Sequence, residues 1–115
     1  MKILKSKVTK TELIANYNNF FRTVIKAVVD IEGEIIAVDA DLHADLETLL
    51  IEDGSSQSNL WGINLYPFKG KKSFIEYTAL INIRPYQNNF SMEIKDKAIK
   101  SKISKIVKKL IEYDS

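Results

Sequence analysis

The chain has 115 residues, of which 45% are hydrophobic and 28% charged, with no cysteine and a formal net charge of +2. This length and composition predict one globular domain, and the lack of cysteine excludes disulfides, thiolate metal sites and a cysteine nucleophile. We expect a cytoplasmic protein, because the first residues do not resemble a signal peptide and no apolar run is long enough to span a membrane.

The N-terminal part predicts an arm and a helix. Residues 2–4 form either a short edge strand or an ordered arm. Thr9 and Glu12 have the spacing of a capping box, in which each residue satisfies a free amide of the other. An apolar stripe that includes two phenylalanines follows at helical spacing, so we predict a helix over 10–21.

A strand hairpin follows the helix. Val24–Glu32 is rich in β-branched residues and alternates in polarity, which predicts a strand. Glu32-Gly33 predicts a hairpin turn in which the glycine supplies a positive φ. The second strand starts at Glu34 and continues into the stretch that follows.

The stretch Val38–Glu47, VDADLHADLE, alternates between apolar and polar residues without a break. This alternation favours a long strand over residues 42–53, but leucine spacing in the same region also fits a helix with Asp41 as N-cap and Gly54 after its end. Both interpretations stay open. The leucines concerned are Leu42, Leu46, Leu49 and Leu50.

Two further strands and a helix complete the chain. Leu60–Tyr66 predicts a strand in which Gly62 marks a bulge or a close backbone approach. Phe74–Arg84 alternates over most of its length, interrupted by two apolar residues, and predicts another strand. Asp96 is a good N-cap for a helix that extends to about residue 113, with an isoleucine-rich stripe on one side and lysines on the rest.

The order α-β-β-β-β-α predicts an α+β fold, a four-stranded antiparallel meander with the N- and C-terminal helices packed on one face. The other face of the sheet would be polar, and either open or closed by a partner.

A candidate metal or acid–base site surrounds His43, the only histidine. Imidazole and carboxylates bind divalent metals, and a histidine beside a carboxylate can transfer protons. The alternative is a solvated polar face, or a row of carboxylates that faces a basic element. The predicted set is Asp41, His43, Asp45 and Glu47.

A candidate ligand site lies near the end of the last predicted strand. Arginine suits bidentate contact with carboxylate or phosphate. The alternative is that the arginine pairs with the acidic stretch while the asparagines build the turn. The predicted set is Asn82, Arg84, Gln87, Asn89 and Glu93.

The lysine-rich C-terminal helix raises nucleic-acid binding as a weaker alternative. It has no interleaved aromatic residues, and a solvated lysine face is the more common reason for this pattern. Its apolar side also lacks the Trp and Phe of a membrane-surface helix.

Three phrases together, LHADLETLLIEDGS, LWGINLYP and INIRPYQNNFSMEI, resemble a family of small uncharacterised prokaryotic proteins, a domain of unknown function. The likeness covers roughly residues 22–112 and brings no activity, substrate or cofactor. That family usually has Gly-Gly where this chain has Asp39-Ala40, which favours a continuous strand here. It usually has Gly-Asn-Arg where this chain has Asn88-Asn89-Phe90, so a second arginine near Arg84 is absent.

We therefore predict a non-enzymatic binding or interaction module, forming a homodimer, that acts through the polar sheet face or the 84–93 loop. The sequence has no P-loop, Rossmann fingerprint, HExxH motif or nucleophile elbow. The competing hypothesis is a small metal-dependent or acid–base enzyme centred on His43, with the cofactor and substrate unknown.

Overall fold

The computed structural model describes residues 1–114 as seven β-strands and three α-helices joined by short turns. The strands are β1 Lys2–Leu4, β2 Val8–Thr9, β3 Ile25–Asp30, β4 Ile35–Val38, β5 Leu60–Leu65, β6 Ile75–Glu76 and β7 Ile111–Glu112. The helices are α1 Lys10–Asn16, α2 His43–Glu52 and α3 Lys97–Leu110. None of the helices in residues 1–114 has the length and apolar character needed to cross a bilayer.

Five strands form an antiparallel sheet in the order β1-β4-β3-β5-β6. The predicted α+β class is confirmed, but the sheet has five strands and not four. The additional strand is β1, whose Ile3 lies opposite Ala37 of β4. The strands do not simply follow chain order, because β5 pairs with β3 and not with β4. A separate parallel pair, β2 with β7, places Val8 opposite Ile111.

The main core lies between one face of the sheet and the two terminal helices. Leu13 of α1 and Ile103 of α3 are fully buried there, together with Val29 and Trp61 of the sheet. Each such aliphatic side chain contributes about 1.5–3 kcal/mol by leaving water. The apolar stripes of both terminal helices therefore attach them to the sheet.

The opposite sheet face was predicted to be polar, and this is wrong. Helix α2 covers it, and Leu46 and Leu50 are fully buried against Val28 and Ala37. A polar sheet face is therefore not available as a binding surface, because both faces of the central strands carry helices.

Residues 42–53 form a helix, so the favoured strand interpretation is wrong. The strand β4 ends at Val38, because Asp39 adopts a left-handed conformation with φ of 75°. Aspartate tolerates this region better than most residues. Its carboxylate also accepts hydrogen bonds from Asn19 N at 3.0 Å and Asn19 Nδ2 at 2.6 Å. The strand therefore ends where the Asp39-Ala40 pair had suggested a continuous strand, and Leu42, not Asp41, is the N-cap of α2.

The long strand predicted over Phe74–Arg84 is also wrong. Only Ile75–Glu76 pairs with β5, and residues 80–82 turn as a 3-10 helix.

The terminal helices are shorter than predicted. The capping box of Thr9 and Glu12 is present, but α1 ends at Asn16, and Phe20 and Phe21 remain exposed beyond it. Helix α3 ends at residue 110, and the predicted cap at its start is confirmed by its hydrogen bonds to the first turn.

The β3–β4 turn forms differently from the prediction. Glu34, not Gly33, adopts the positive φ, at 55°. Gly33 is needed for space, because a Cβ there would lie 2.7 Å from Oδ2 of Asp30. The Asp30 carboxylate accepts from Gly33 N at 2.8 Å, which holds the turn closed.

Candidate functional site

The segment 77–95 lies beside the edge of β5. Strand β6 pairs only with Asn64 and Leu65 of β5, so the backbone groups at the start of β5 need other partners. Isolated bridges between Thr78 and Glu93, and between residues 84 and 89, fold the segment back on itself. Its side chains then reach the unpaired edge.

Asn82 takes the place of a neighbouring strand. Its fully buried side chain accepts from Gly62 N at 2.8 Å and donates to Gly62 O at 2.9 Å. These two bonds reproduce the pair that a strand residue would make. A Cβ on Gly62 would lie 2.5 Å from Cβ of Ala79, so the close approach predicted at this glycine is confirmed.

Arg84 is 1% exposed and has an acceptor for each of its five N–H groups. Its guanidinium also stacks 4.6 Å from the ring centroid of Trp61. Burial lowers the pKa of Arg84, and the Glu47 carboxylate opposes that shift. The acceptors are Ile81 O at 3.0 Å, Gln57 O at 3.1 Å, Gln87 Oε1 at 3.3 Å, Glu47 Oε2 at 3.3 Å and Leu60 O.

Asn89 closes the return of the segment. Its Nδ2 donates to the carbonyls of Asn82 at 2.8 Å and Ser91 at 2.9 Å, and its Oδ1 accepts from Lys95 N at 3.0 Å. Asn88, just before it, adopts a left-handed conformation with φ of 60°. Asn88 thus contributes to the turn through its backbone conformation, while the side-chain amide of the buried Asn89 is used inside the protein.

The remaining members of the predicted ligand set are Gln87, which is half-buried, and Glu93, which is exposed. Gln87 donates to Ser58 O at 3.0 Å, besides its contact with Arg84. Glu93 is exposed and lies 2.7 Å from Lys95 Nζ, whose hydrogen bond and charge lower the pKa of Glu93. The structure therefore brings the five residues near one another, but it uses Asn82 and Arg84 to hold the segment on β5 and Asn89 to close the segment on itself.

The same segment presents five large apolar side chains to solvent. We call these five side chains, which are given at the end of this paragraph, the apolar surface. Sequence reasoning missed them, although two signals were present: Leu80 interrupts the alternation of the predicted strand, and aromatic residues stand in an otherwise polar loop. The members are Leu80 (70% exposed), Ile83 (42%), Tyr86 (72%), Phe90 (71%) and Met92 (44%).

The predicted metal set is dispersed. His43, at the start of α2, donates from Nε2 to Ile63 O over 2.8 Å. Asp41 and Asp45 are exposed, and Glu47 pairs with the buried arginine. Among residues 1–114, no three histidine or carboxylate side chains come together to hold a metal ion. The arrangement supports an anchoring role for His43 more than a ligand role.

The pKa of His43 is lowered, chiefly by burial, with the Ile63 hydrogen bond opposing the shift. A lowered pKa keeps the ring neutral at pH 7, so that its Nε2–H can donate to the strand carbonyl. This bond fixes the start of α2 against β5, close to Gly62.

A family model described as a protein of unknown function (DUF5674) matches residues 2–110. The chain belongs to the DUF5674 family. This confirms the resemblance seen in the three sequence phrases and extends it over the N-terminal arm. Neither the curated proteins nor the solved structures contain a significant match to the chain. The DUF5674 description names no activity, so the function must be argued from the geometry of this chain.

Proposed function

We propose that this DUF5674 protein is a non-enzymatic interaction module that forms a homodimer through the apolar surface. The observation that carries the proposal is the reversed polarity of segment 80–92. Asn82, Arg84 and Asn89 point inward and are hydrogen-bonded, while the five side chains of the apolar surface are exposed to water. Exposed apolar side chains grouped in this way are typical of protein–protein contacts.

The area of the apolar surface fits a second copy of the chain. Tyr86 and Phe90, both more than two-thirds exposed, offer roughly 300 Å² to a partner. With the other three side chains, each protomer contributes roughly 500 Å², so a twofold contact buries about 1,000 Å² in total, near the lower limit for a specific interface. The net charge of +2 gives little repulsion between copies.

Sedimentation equilibrium over a range of protein concentrations tests this proposal. We expect wild-type protein to reach a dimer and the variant Leu80→Ser/Phe90→Ser to remain a monomer. The matched control is Ile51→Ser/Phe68→Ser, which removes two apolar side chains that are 44% and 66% exposed elsewhere on the protein. This control should still dimerise.

Two outcomes would contradict the proposal. If the wild-type protein is a monomer at every concentration, the proposed dimer does not form. A dimer that both variants retain equally would show that the contact lies on another surface.

A further inference from the structure

The exposed side of α3 forms part of a basic trough. Two shallow grooves, with volumes of about 410 and 420 Å³, meet at Lys108, which lines both. The first groove follows α3 and the second continues beside the C-terminal strand β7. The lysines that line them, which define the trough, are Lys7, Lys71, Lys97, Lys100, Lys105 and Lys108.

The lysines of the trough keep their charge free for a ligand. Other lysines pair with carboxylates, such as Lys5 with Asp53 at 2.9 Å and Lys109 with Glu34 at 3.2 Å. The trough lysines make no ion pair with a carboxylate of residues 1–114. Among residues 1–114, Glu112 is the one acidic residue in the lining of the two grooves. The trough therefore concentrates unpaired positive charge, as an anion-binding surface requires.

An aromatic ring from a distant part of the chain lies in the trough. Tyr77, which follows β6, is half-buried and lines the same groove as the α3 lysines. Lys100 Nζ lies 5.8 Å from its ring centroid. The helix sequence alone has no aromatic residue among its lysines, but the fold supplies one. A ring beside a row of cations is the combination that binds unpaired bases and their phosphates.

We propose that the basic trough binds single-stranded nucleic acid, with phosphates along the α3 lysines and one base against Tyr77. From Lys97 to Lys108 the helix rises about 17 Å. A single strand carries one negative charge per nucleotide, so a row of this length can contact several consecutive phosphates. This surface is separate from the apolar surface, and the inference goes beyond the proposed dimer.

A lipid surface fits the trough less well. A membrane-bound basic helix must insert its apolar side into the acyl region. The apolar side of α3 is already buried in the core, where Ile103, Val107 and Leu110 are at most 3% exposed. The exposed side offers serines and lysines, which bind phosphate but gain nothing from hydrocarbon.

Fluorescence anisotropy with a labelled oligothymidylate, titrated at several salt concentrations, tests the proposal on the full chain. If all six lysines contribute, log affinity should fall with log salt with a slope of about −4. The test variant is Lys100→Gln/Lys108→Gln, which should flatten that slope by about 1.4 and weaken binding about tenfold at low salt.

The matched control is Lys2→Gln/Lys102→Gln. It removes the same charge from two exposed lysines that make no ion pair within residues 1–114, and neither of them lines the trough. The control should bind with little change. Equal losses in both variants would show a diffuse charge effect and overturn the assignment of the trough, as would no binding by wild type at low salt.

Two further measurements separate the ligand classes. Tyr77→Leu should lower affinity for the oligonucleotide about fivefold or more, because the stacking ring is lost, while a thermal melt checks that the variant is folded. Tighter binding to duplex DNA, or to vesicles of phosphatidylserine, than to the single strand would overturn the single-strand assignment.

Discussion

Arg84 is the residue whose replacement should cost the fold most. In Arg84→Met, the backbone carbonyls of Ile81, Gln57 and Leu60 lose their donor, and Glu47 loses its counter-ion. Each buried polar group left without a partner costs about 1–3 kcal/mol, and breaking a buried ion pair typically costs about 3–5 kcal/mol. Since water can reach part of this site, we expect a total loss of about 3–5 kcal/mol. That is a large share of the roughly 5–15 kcal/mol that stabilises a typical domain.

Urea unfolding, followed by circular dichroism, measures this loss. The unfolding midpoint of Arg84→Met should fall by about 1–3 M, with an unchanged denaturant slope. The matched control is Arg22→Met, because Arg22 is the other arginine and is exposed. Its unfolding free energy should stay within about 0.5 kcal/mol of wild type. If Arg84→Met behaved like this control, the five hydrogen bonds would not hold the segment on β5, and our account of the site would fail.

Four other substitutions or conditions test neighbouring parts of the structure. Gly62→Ala should lower the unfolding free energy by about 1–3 kcal/mol, because its Cβ would overlap Ala79; a neutral result in urea unfolding would mean that the close approach is absent. The lowered pKa of His43 means that the unfolded state binds more protons than the folded state just below the ordinary value of 6.5. The contribution of His43 to stability is therefore complete above pH 6.5 and is lost as the pH falls through the lowered folded pKa, and this part of the pH dependence of Tm should disappear in His43→Gln. A thermal-shift screen of metal-stripped protein with divalent ions should show no increase in Tm that depends on His43, and such an increase would revive the metal hypothesis. Asp96→Ala should cost about 1 kcal/mol of unfolding free energy through the lost N-cap of α3, and no change would contradict the capping geometry.

The parts of the fold that the sequence predicted are those where one local pattern agrees with the tertiary packing. The apolar stripe and the Asp96 cap of α3 both indicate a helix, and the stripe has a sheet face to cover. Strand β3 is rich in β-branched residues and lies in the middle of the sheet, and β5 beside it is mainly apolar, so burial on both faces reinforces the preference for a strand.

The failure at residues 42–53 has a different cause. Alternation of polarity there is real, but it follows from two unrelated elements that happen to join in phase. The last apolar residues of β4 are followed by a helix. Its buried residues Leu46 and Leu50 are four positions apart, which places them on the same face of the helix and also on the same parity as the last residue of β4. The left-handed turn at Asp39, which separates the two elements, depends on a hydrogen bond to Asn19. Such a contact between distant residues leaves no periodic trace in the sequence.

The candidate site was harder still to predict, because side chains there make the hydrogen bonds that the backbone of a neighbouring strand would otherwise make. Asn82 and Arg84 hold the edge of β5, and a period-two pattern describes only backbone pairing between strands. The sequence did suggest that the arginine could pair with the acidic stretch, which its contact with Glu47 matches. It could not indicate that this pairing would turn the apolar neighbours outward.

The exposure of these apolar side chains connects the two roles of the segment, which are to hold the edge of β5 and, as we propose, to bind a second copy of the chain. The chain folds back on itself through short turns, so inward-facing and outward-facing positions are interleaved. Asn82 and Arg84 occupy inward positions, whereas Leu80 and Ile83 remain exposed beside them. Replacing an inward residue should change the stability of the monomer, and replacing an outward residue should change only its association. Because the two effects belong to different positions of one short segment, variants at inward and at outward positions separate the stability of the monomer from the proposed association, provided that unfolding is measured at a concentration below that at which the dimer forms.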